Sequence, residues 1–289
     1  MPRRSTARRI PRNRSRRRRR FRLPRFWPGP QLRRKWYRAY RRASTPTQVI
    51  VGLAVVVTLW LAVNWIYQVV RKPSELFFPV SGTLYKSPTE TWRQYAPIFR
   101  RHATATISPE FLAALAQVEG SGNPIVRTYW RWSWSRKPFE LYRPASSAVG
   151  MYQITDGTFA EARQLCIHDH RVVADGPWND WRSCWFNWLY IRTVPSHAVE
   201  LTSAYLDTRV QMALARAHID NATVAQKQDL AAVIHLCGAG AGASYAARHL
   251  RLTPGQRCGD HEARFYVARV NAMKNVFARM AKKEGTGDW

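Results

Sequence analysis

The chain has 289 residues, of which 46 are Lys or Arg and 18 are Asp or Glu, so its formal net charge is +28. This length is sufficient for one or two domains with a sizeable core. The charge is uneven, because residues 1–42 contain 19 basic residues and no acidic residue, which leaves 27 basic and 18 acidic residues for the remainder. The composition therefore excludes a uniformly basic protein and indicates a basic tail in front of a more balanced region.

Residues 1–45 are predicted to be a disordered, Arg-rich cytoplasmic tail. Their arginines repel one another, and interspersed prolines with few apolar residues give no core to bury. Such a tail attaches to nucleic acid or anionic lipid through counterion release, or acts only as a topology signal. The segment that follows favours the topology signal, and nucleic acid is not the expected partner.

Residues 46–70 are predicted to form a transmembrane helix. The sequence TQVIVGLAVVVTLWLAVNWIYQVV supplies 24 mostly apolar residues without a charge, enough to cross about 30 Å of hydrocarbon. A cleaved signal peptide would have a shorter apolar core followed by small residues, whereas Trp65 and Tyr67 stand here. The positive-inside rule then predicts a single-pass protein of the inner membrane with its N-terminus in the cytoplasm and its later residues in the periplasm.

Four cysteines follow the apolar segment: Cys166, Cys184, Cys237 and Cys258. They agree with an oxidising compartment, and they allow three pairings. The spacing favours Cys166 with Cys184 and Cys237 with Cys258, in loops that each contribute about 3 kcal/mol. A zinc site within CIHDH (residues 166–170) is the rival interpretation, but the paired CxxC or HxxxH arms are missing, so neither a metal nor a cofactor is expected.

Residues 71–105 are predicted to be a stalk with one helix near residues 91–102, and residues 106–289 a mostly helical domain without a run of alternating strands. The helical pattern covers roughly 155–167, 178–193, 196–219, 224–237, 241–251 and 259–283. Within the second of these, Trp178, Trp181, Trp185 and Trp188 fall on one helical stripe. That stripe predicts core packing.

The stretch FLAALAQVEGSGNP (residues 111–124) predicts a short helix that begins after the N-cap Ser108 and ends at glycine. Glu119 falls on its apolar face. A carboxylate in that position needs either a cationic partner or a role as an acid, since burying an unpaired charge is costly. The negative pole at the helix C-terminus favours the protonated acid, and a structural ion pair remains the alternative.

The segment YWRWSWSRKPFELYRP (residues 129–144) alternates tryptophans with polar residues, a period of two that predicts an extended or hairpin segment. Aromatic faces of this kind suit sugar rings, which makes Trp132 a candidate substrate contact. Core packing and contact with the outer leaflet of the membrane are the alternatives.

Three motifs together resemble a known family. Glu119 and Gly120 precede Asn123 and Pro124; Gly150, Met151, Tyr152 and Gln153 follow; and Ile234 to Gly238 correspond to the family's Ala-Tyr-Asn-Ala-Gly, of which only the glycine is kept. Over roughly residues 107–248 the chain is similar to the SLT-type lytic transglycosylases of the lysozyme-like superfamily, which are related to goose-type lysozyme.

The resemblance implies a lysozyme-like helical domain that binds peptidoglycan glycan strands and cleaves the β-1,4 bond from N-acetylmuramic acid to N-acetylglucosamine. By the same resemblance, Glu119 protonates the leaving oxygen and then takes the proton of the muramoyl C6 hydroxyl, closing a 1,6-anhydro ring without a second carboxylate. The implied substrate-binding residues are Gly150, Met151, Tyr152, Gln153 and His235, to which the aromatic pattern of residues 129–144 adds Trp132. An envelope-spanning secretion or transfer machine is a further expected partner.

Three alternatives remain at this point. A hydrolytic muramidase needs a second carboxylate, such as Asp156, to position water. A non-catalytic peptidoglycan-binding scaffold is favoured by the divergent third motif. A membrane protein that binds nucleic acid would use the Arg-rich tail.

Overall fold

The computed structural model of the protein describes residues 29–180 and 183–286, and omits the side chains of residues 78 and 79. The first 28 residues of the predicted tail, and Trp181 of the predicted tryptophan stripe, lie outside the described residues. The fold is mostly helical, with 62% helix and 8% strand, as predicted. The chain divides into two compact units, residues 1–60 and residues 61–289.

The α-helices of the described residues are α1 (Pro30–Arg42), α2 (Thr45–Arg71), α3 (Phe78–Ser81), α4 (Pro88–Arg101), α5 (Pro109–Gly120), α6 (Asp156–Ala162), α7 (Pro195–Arg216), α8 (Val224–Ala247) and α9 (Ala263–Thr286). Short 3-10 helices cover Pro73–Phe77, Pro138–Glu140 and Trp185–Leu189.

The strands form three separate antiparallel hairpins: β1 (Trp130–Trp132) with β2 (Tyr142–Pro144), β3 (Leu165–His168) with β4 (Arg171–Ala174), and β5 (Arg257–Cys258) with β6 (His261–Glu262). The first of them, residues 130–144, is called the Trp hairpin below, and it pairs Trp132 with Tyr142. The predicted period-two segment is therefore a hairpin.

Helix α5 lies at the centre of the larger unit. Ser108 caps its N-terminus by accepting a hydrogen bond from the Phe111 amide at 3.3 Å, as its sequence predicts. Phe111, Leu112 and Leu115 have no exposed surface. They belong to one core with residues of α4, α7, α8 and α9, so α5 is enclosed by its neighbours and its C-terminal end has a fixed position.

The segment predicted as a stalk differs from that prediction, because its second half is part of the core. Ser87 and Glu90 form a capping box that starts α4. On that helix Trp92 and Phe99 are 1% and 0% exposed, and Trp92 packs against Phe277 of α9 with ring centroids 5.7 Å apart. The apolar stripe of α4 is thus buried in the domain, and residues 88–101 are no linker.

In the smaller unit, residues 30–42 form helix α1, where the sequence predicted a disordered tail. Pro30 occupies its first turn. The Gln48 side-chain amide donates to the carbonyls of Tyr40 at 3.2 Å and Ala43 at 3.1 Å, and thereby satisfies acceptors at the C-terminal end of α1. The prediction rested on charge repulsion, and it missed this local cap.

Two described helices are long and apolar enough to cross a membrane by length and composition alone. They are α2, with a mean hydropathy of 2.4, and α8, with 1.4. In the most apolar 18 residues of each helix, 6% are buried in α2 and 44% are buried in α8. Leu230 and Val233 of α8 have no exposed surface and lie in the core, as is usual for the central helix of a soluble domain.

The helix predicted over residues 178–193 is absent from the described part of that range, where only the 3-10 helix Trp185–Leu189 forms. Cys184 is bonded to Cys166, and the Asn187 side-chain amide donates to the Leu165 carbonyl at 2.7 Å. The disulfide and the hydrogen bond hold residues 184–189 against β3. Trp178 and Trp188 are 79% and 60% exposed, so the predicted core stripe is wrong at these two positions.

The other long predicted helices are present with shifted ends, and the two predicted over residues 224–251 form the single helix α8 with a kink. Gly238 has φ +83° inside it, a conformation that glycine adopts without strain.

Both disulfides connect the pairs that the loop lengths favoured. Cys166 bonds Cys184 and Cys237 bonds Cys258, with sequence separations of 18 and 21. The first ties the segment before the 3-10 helix to β3. The second joins α8, next to its kink, to the hairpin that precedes α9.

We predict that reducing both disulfides lowers the melting temperature of the protein. Each loop contributes about 3 kcal/mol, which corresponds to roughly 6–12 °C per disulfide for a unit of this size. Thermal unfolding of the wild-type protein with and without reductant, beside the pairwise Cys→Ser variants, measures it. An unchanged melting temperature on reduction would contradict the prediction.

Candidate functional site

The C-terminal end of α5 lies directly against the backbone of residues 150–153, called the motif turn below. A Cβ atom added to Gly120 would approach the Met151 carbonyl oxygen to 2.9 Å. Ser121 then ends the helix in the left-handed conformation, with φ +48°. Close backbone contact at Gly120 thus brings two of the sequence motifs together and fixes Glu119 beside the second.

The motif turn is held by its own hydrogen bonds and by a close neighbour. Gly150 has φ +79°, and a Cβ there would lie 2.3 Å from the Arg192 carbonyl oxygen, so only glycine fits. The Gln153 side-chain amide donates to the carbonyls of Gly150 at 2.9 Å and Val126 at 3.3 Å. Gln153 therefore fixes the shape of the turn.

The structure places two of the predicted substrate-binding side chains in the core. Met151 and Tyr152 have no exposed surface. The Tyr152 hydroxyl donates to the Leu112 carbonyl at 3.1 Å, and burial raises the pKa of that hydroxyl well above its ordinary value. These side chains pack α5 against the motif turn. The resemblance implied that both residues bind substrate, whereas their side chains are buried in the core.

The Glu119 carboxyl is held by a neutral donor. Its side chain is 18% exposed, and its Oε1 accepts a short hydrogen bond from the Tyr266 hydroxyl of α9. His235 Nε2 of α8 lies 3.7 Å from the same oxygen. Among the described residues, the ion partner of Glu119 is therefore a histidine rather than a lysine or arginine.

Tyr266 is a site residue that the sequence analysis missed. It is 8% exposed, and burial, together with the Glu119 carboxylate, raises the pKa of its hydroxyl well above the ordinary value. The hydroxyl remains a protonated donor. The available signal was the apolar stripe of α9, in which Tyr266 stands between Ala263 and Val270: a tyrosine buried on such a stripe needs a partner for its hydroxyl.

A pocket of about 170 Å³ is lined by His235, whose ring lies 3.7 Å from the Glu119 carboxyl. Gln153, Thr202, Tyr205, His235 and Gly238 are among its lining residues. The Thr202 hydroxyl is buried and has no hydrogen-bond partner among the described residues. His235, whose side chain is 13% exposed, connects this pocket to Glu119. The structure thus joins Glu119, the motif turn and His235, all three of which the sequence selected.

Trp132 lies on β1 and is 68% exposed. Its ring packs against Tyr142 of β2, with centroids 4.8 Å apart. The hairpin thus presents this ring on its surface rather than in the core.

Two carboxylates of α6 are paired with permanent cations. Asp156, the candidate for positioning water in a hydrolase, lies 2.8 Å from the Arg192 guanidinium, and its side chain is 71% exposed. Glu161 is paired with Arg209. Glu119 differs from both, because its partners are a tyrosine hydroxyl and a histidine.

This arrangement is suited to proton transfer. A lysine or arginine pair would hold Glu119 as a carboxylate, whereas a hydroxyl donor fixes the orientation of the carboxyl and lets its other oxygen exchange a proton with a ligand.

No family model matches the chain, and a search of curated proteins found no match.

We predict that Tyr266→Phe lowers the free energy of unfolding by about 1.5–3 kcal/mol, the usual contribution of a hydrogen bond to a charged group. A double-mutant cycle with Glu119→Leu isolates the pair, and the two effects should be clearly non-additive. Tyr245→Phe serves as the control, since Tyr245 is also a largely buried tyrosine, 6% exposed, and its hydroxyl makes no hydrogen bond to a described residue. Additive effects of Tyr266→Phe and Glu119→Leu in chemical denaturation would show that the contact is not formed.

Proposed function

We propose that this protein is a membrane-anchored peptidoglycan lytic transglycosylase with a lysozyme-like domain and Glu119 as its single general acid and base. The observation that carries the proposal is the environment of this carboxyl: it is half-buried, accepts a hydrogen bond from the neutral Tyr266 hydroxyl, and lies 3.7 Å from His235, which lines a pocket. A carboxyl held by an uncharged donor beside a pocket-lining histidine is a candidate for a general acid or base.

The proposed reaction uses this carboxyl twice. Protonated Glu119 donates its proton to the glycosidic oxygen as the bond to N-acetylglucosamine breaks. The resulting carboxylate then accepts the proton of the muramoyl C6 hydroxyl, whose oxygen attacks C1 and closes the 1,6-anhydro ring. The Tyr266 hydroxyl holds the carboxyl in one orientation throughout and stabilises the carboxylate between the two transfers.

Binding of the glycan is assigned to the groups that face the pocket beside Glu119. His235 and Gln153 contribute polar side-chain atoms there. The motif turn contributes backbone groups, because its Met151 and Tyr152 side chains are buried. Sugars are recognised by such combinations of polar side chains and backbone donors on a fixed scaffold.

The helices and the disulfides support the proposed location. Helix α2 is the more apolar and the more exposed of the two candidate spans, and it is proposed as the single anchor with the basic tail in the cytoplasm. Both disulfides belong to the larger unit, which is the part proposed to lie in the periplasm.

We predict that Glu119→Gln reduces the release of anhydro-muropeptides from purified peptidoglycan by at least about 100-fold, since both proton transfers are lost. The substitution keeps the shape of the side chain and the acceptor for Tyr266, so the melting temperature should remain close to that of the wild-type protein. Glu110→Gln, in the first turn of the same helix, is the matched control and should retain activity.

The products of the wild-type protein distinguish the alternatives. Anhydro ends support the transglycosylase, and reducing ends assign a hydrolase instead. Wall binding without turnover by the wild-type protein assigns a scaffold. Full activity of Glu119→Gln would end the proposed mechanism.

A further inference from the structure

A stripe of polar groups on α2 binds the Trp hairpin. Asn64 is 1% exposed, and its side-chain amide donates to the Tyr142 carbonyl at 2.8 Å. One turn later Gln68, 6% exposed, donates to the Phe139 carbonyl at 2.7 Å. These two amides interrupt the apolar sequence of α2, and the NH2 group of each donates to a backbone carbonyl of the hairpin.

Two further contacts extend the same stripe. The ring of Tyr67 lies 5.4 Å from that of Phe139, and the Arg71 guanidinium lies 3.5 Å from the Glu140 carboxylate. Residues 64, 67, 68 and 71 are spaced as neighbours on one face of a helix. The C-terminal two turns of α2 therefore lie along the hairpin, rather than touching it at one point.

A buried carboxylate fixes the base of the hairpin to the chain that follows α2. Glu75 has no exposed surface. Its carboxylate lies 3.3 Å from the Lys72 ammonium and 2.9 Å from the Arg127 guanidinium, and it accepts a hydrogen bond from the Trp130 indole at 2.9 Å. Moving the hairpin away from α2 would leave this charge buried with fewer partners, which is strongly unfavourable.

The two turns of α2 that contact the hairpin, residues 64–71, lie at the C-terminal end of the apolar segment. From Thr45 to Asn64 the helix rises about 29 Å, close to the roughly 30 Å of a hydrocarbon layer. With α2 spanning the bilayer, residues 64–71 lie at the outer membrane–water interface. The hairpin that is bound along them must then lie at the same level.

The exposed surface of the Trp hairpin has the composition of such an interface. The Trp134 side chain is fully exposed, at 105% of the reference area, and Trp132 is 68% exposed. Arg131, Arg136 and Lys137 are exposed beside them. Tryptophan is enriched at the headgroup level of membranes, and lysine and arginine there bind lipid phosphates.

We propose that the Trp hairpin inserts its indoles into the phospholipid headgroup layer of the outer leaflet, beside α2, and thereby holds the domain on the membrane surface. Trp134 and its cationic neighbours contact lipid, and glycan is bound elsewhere. The chain reaches Arg127, which is paired with Glu75, only eight residues after Glu119, so the carboxyl is held at a set height above the bilayer. The inference rests on the proposed membrane span of α2 and not on the chemistry of Glu119.

Fluorine NMR of the full chain tests this proposal. The protein carries 5-fluorotryptophan and is placed in nanodiscs of phosphatidylcholine and phosphatidylglycerol. Difference spectra of Trp134→Phe and Trp178→Phe assign the two resonances, and Trp178 is the matched control because it is 79% exposed. A headgroup-spin-labelled lipid and a soluble gadolinium chelate then report proximity to lipid and to water, respectively. Recording all spectra in the Glu119→Gln background separates the result from catalysis.

The expected result is that the spin-labelled lipid removes the Trp134 signal and leaves that of Trp178, while the chelate does the reverse. The proposal is overturned if the chelate removes both the Trp134 and the Trp178 signals while the spin-labelled lipid removes neither. It is also overturned if the Trp134 signal shifts only when soluble glycan strands are added. The variant Asn64→Leu with Gln68→Leu keeps α2 apolar but removes its amide bonds to the hairpin. This variant should restore part of the Trp134 signal, and an unchanged loss of that signal would show that docking on α2 does not position the hairpin.

Discussion

The hydrogen bond from Tyr266 to Glu119 is the constraint around which the larger unit is arranged. It joins residues 147 positions apart in the chain and connects the last helix, α9, to the end of α5. A half-buried carboxyl cannot be left without a donor, and the donor here is a tyrosine that itself cannot be buried without an acceptor. Each group satisfies the other only when α9 packs along α5. The candidate site therefore exists only in the completed fold.

Backbone contact rather than side-chain contact brings the motifs together. Gly120 allows α5 to touch the Met151 carbonyl, and Gly150 allows the motif turn to touch the Arg192 carbonyl. With the backbone this close, the intervening side chains must point into the core, which is where Met151 and Tyr152 lie. The glycines in these motifs thus set the geometry of the site, and the larger residues between them provide the packing that keeps it rigid.

Features specified by neighbouring residues could be predicted from the sequence. The Ser108 cap, the hairpin at residues 130–144 and the pairing of the cysteines depend on short-range patterns or short loops. The predictions that failed depend on contacts between distant parts of the chain. The segment around Trp185 has a helical pattern, but a disulfide and the Asn187 amide hold it against β3. Tyr266 was missed for the same reason, because its partner lies in another helix.

The contrast between Glu75 and Glu119 shows why local sequence could not distinguish an anchoring carboxylate from the one proposed to transfer protons. Both stand in largely apolar segments, and Glu75 carries no motif at all. Glu75 is fully buried with a lysine, an arginine and an indole around it, and these contacts tie the chain after α2 to the Trp hairpin. Glu119 retains some exposure and receives a neutral hydroxyl instead. A carboxyl that must both give and take a proton requires the second environment, because fixed cations would stabilise only one of its two states.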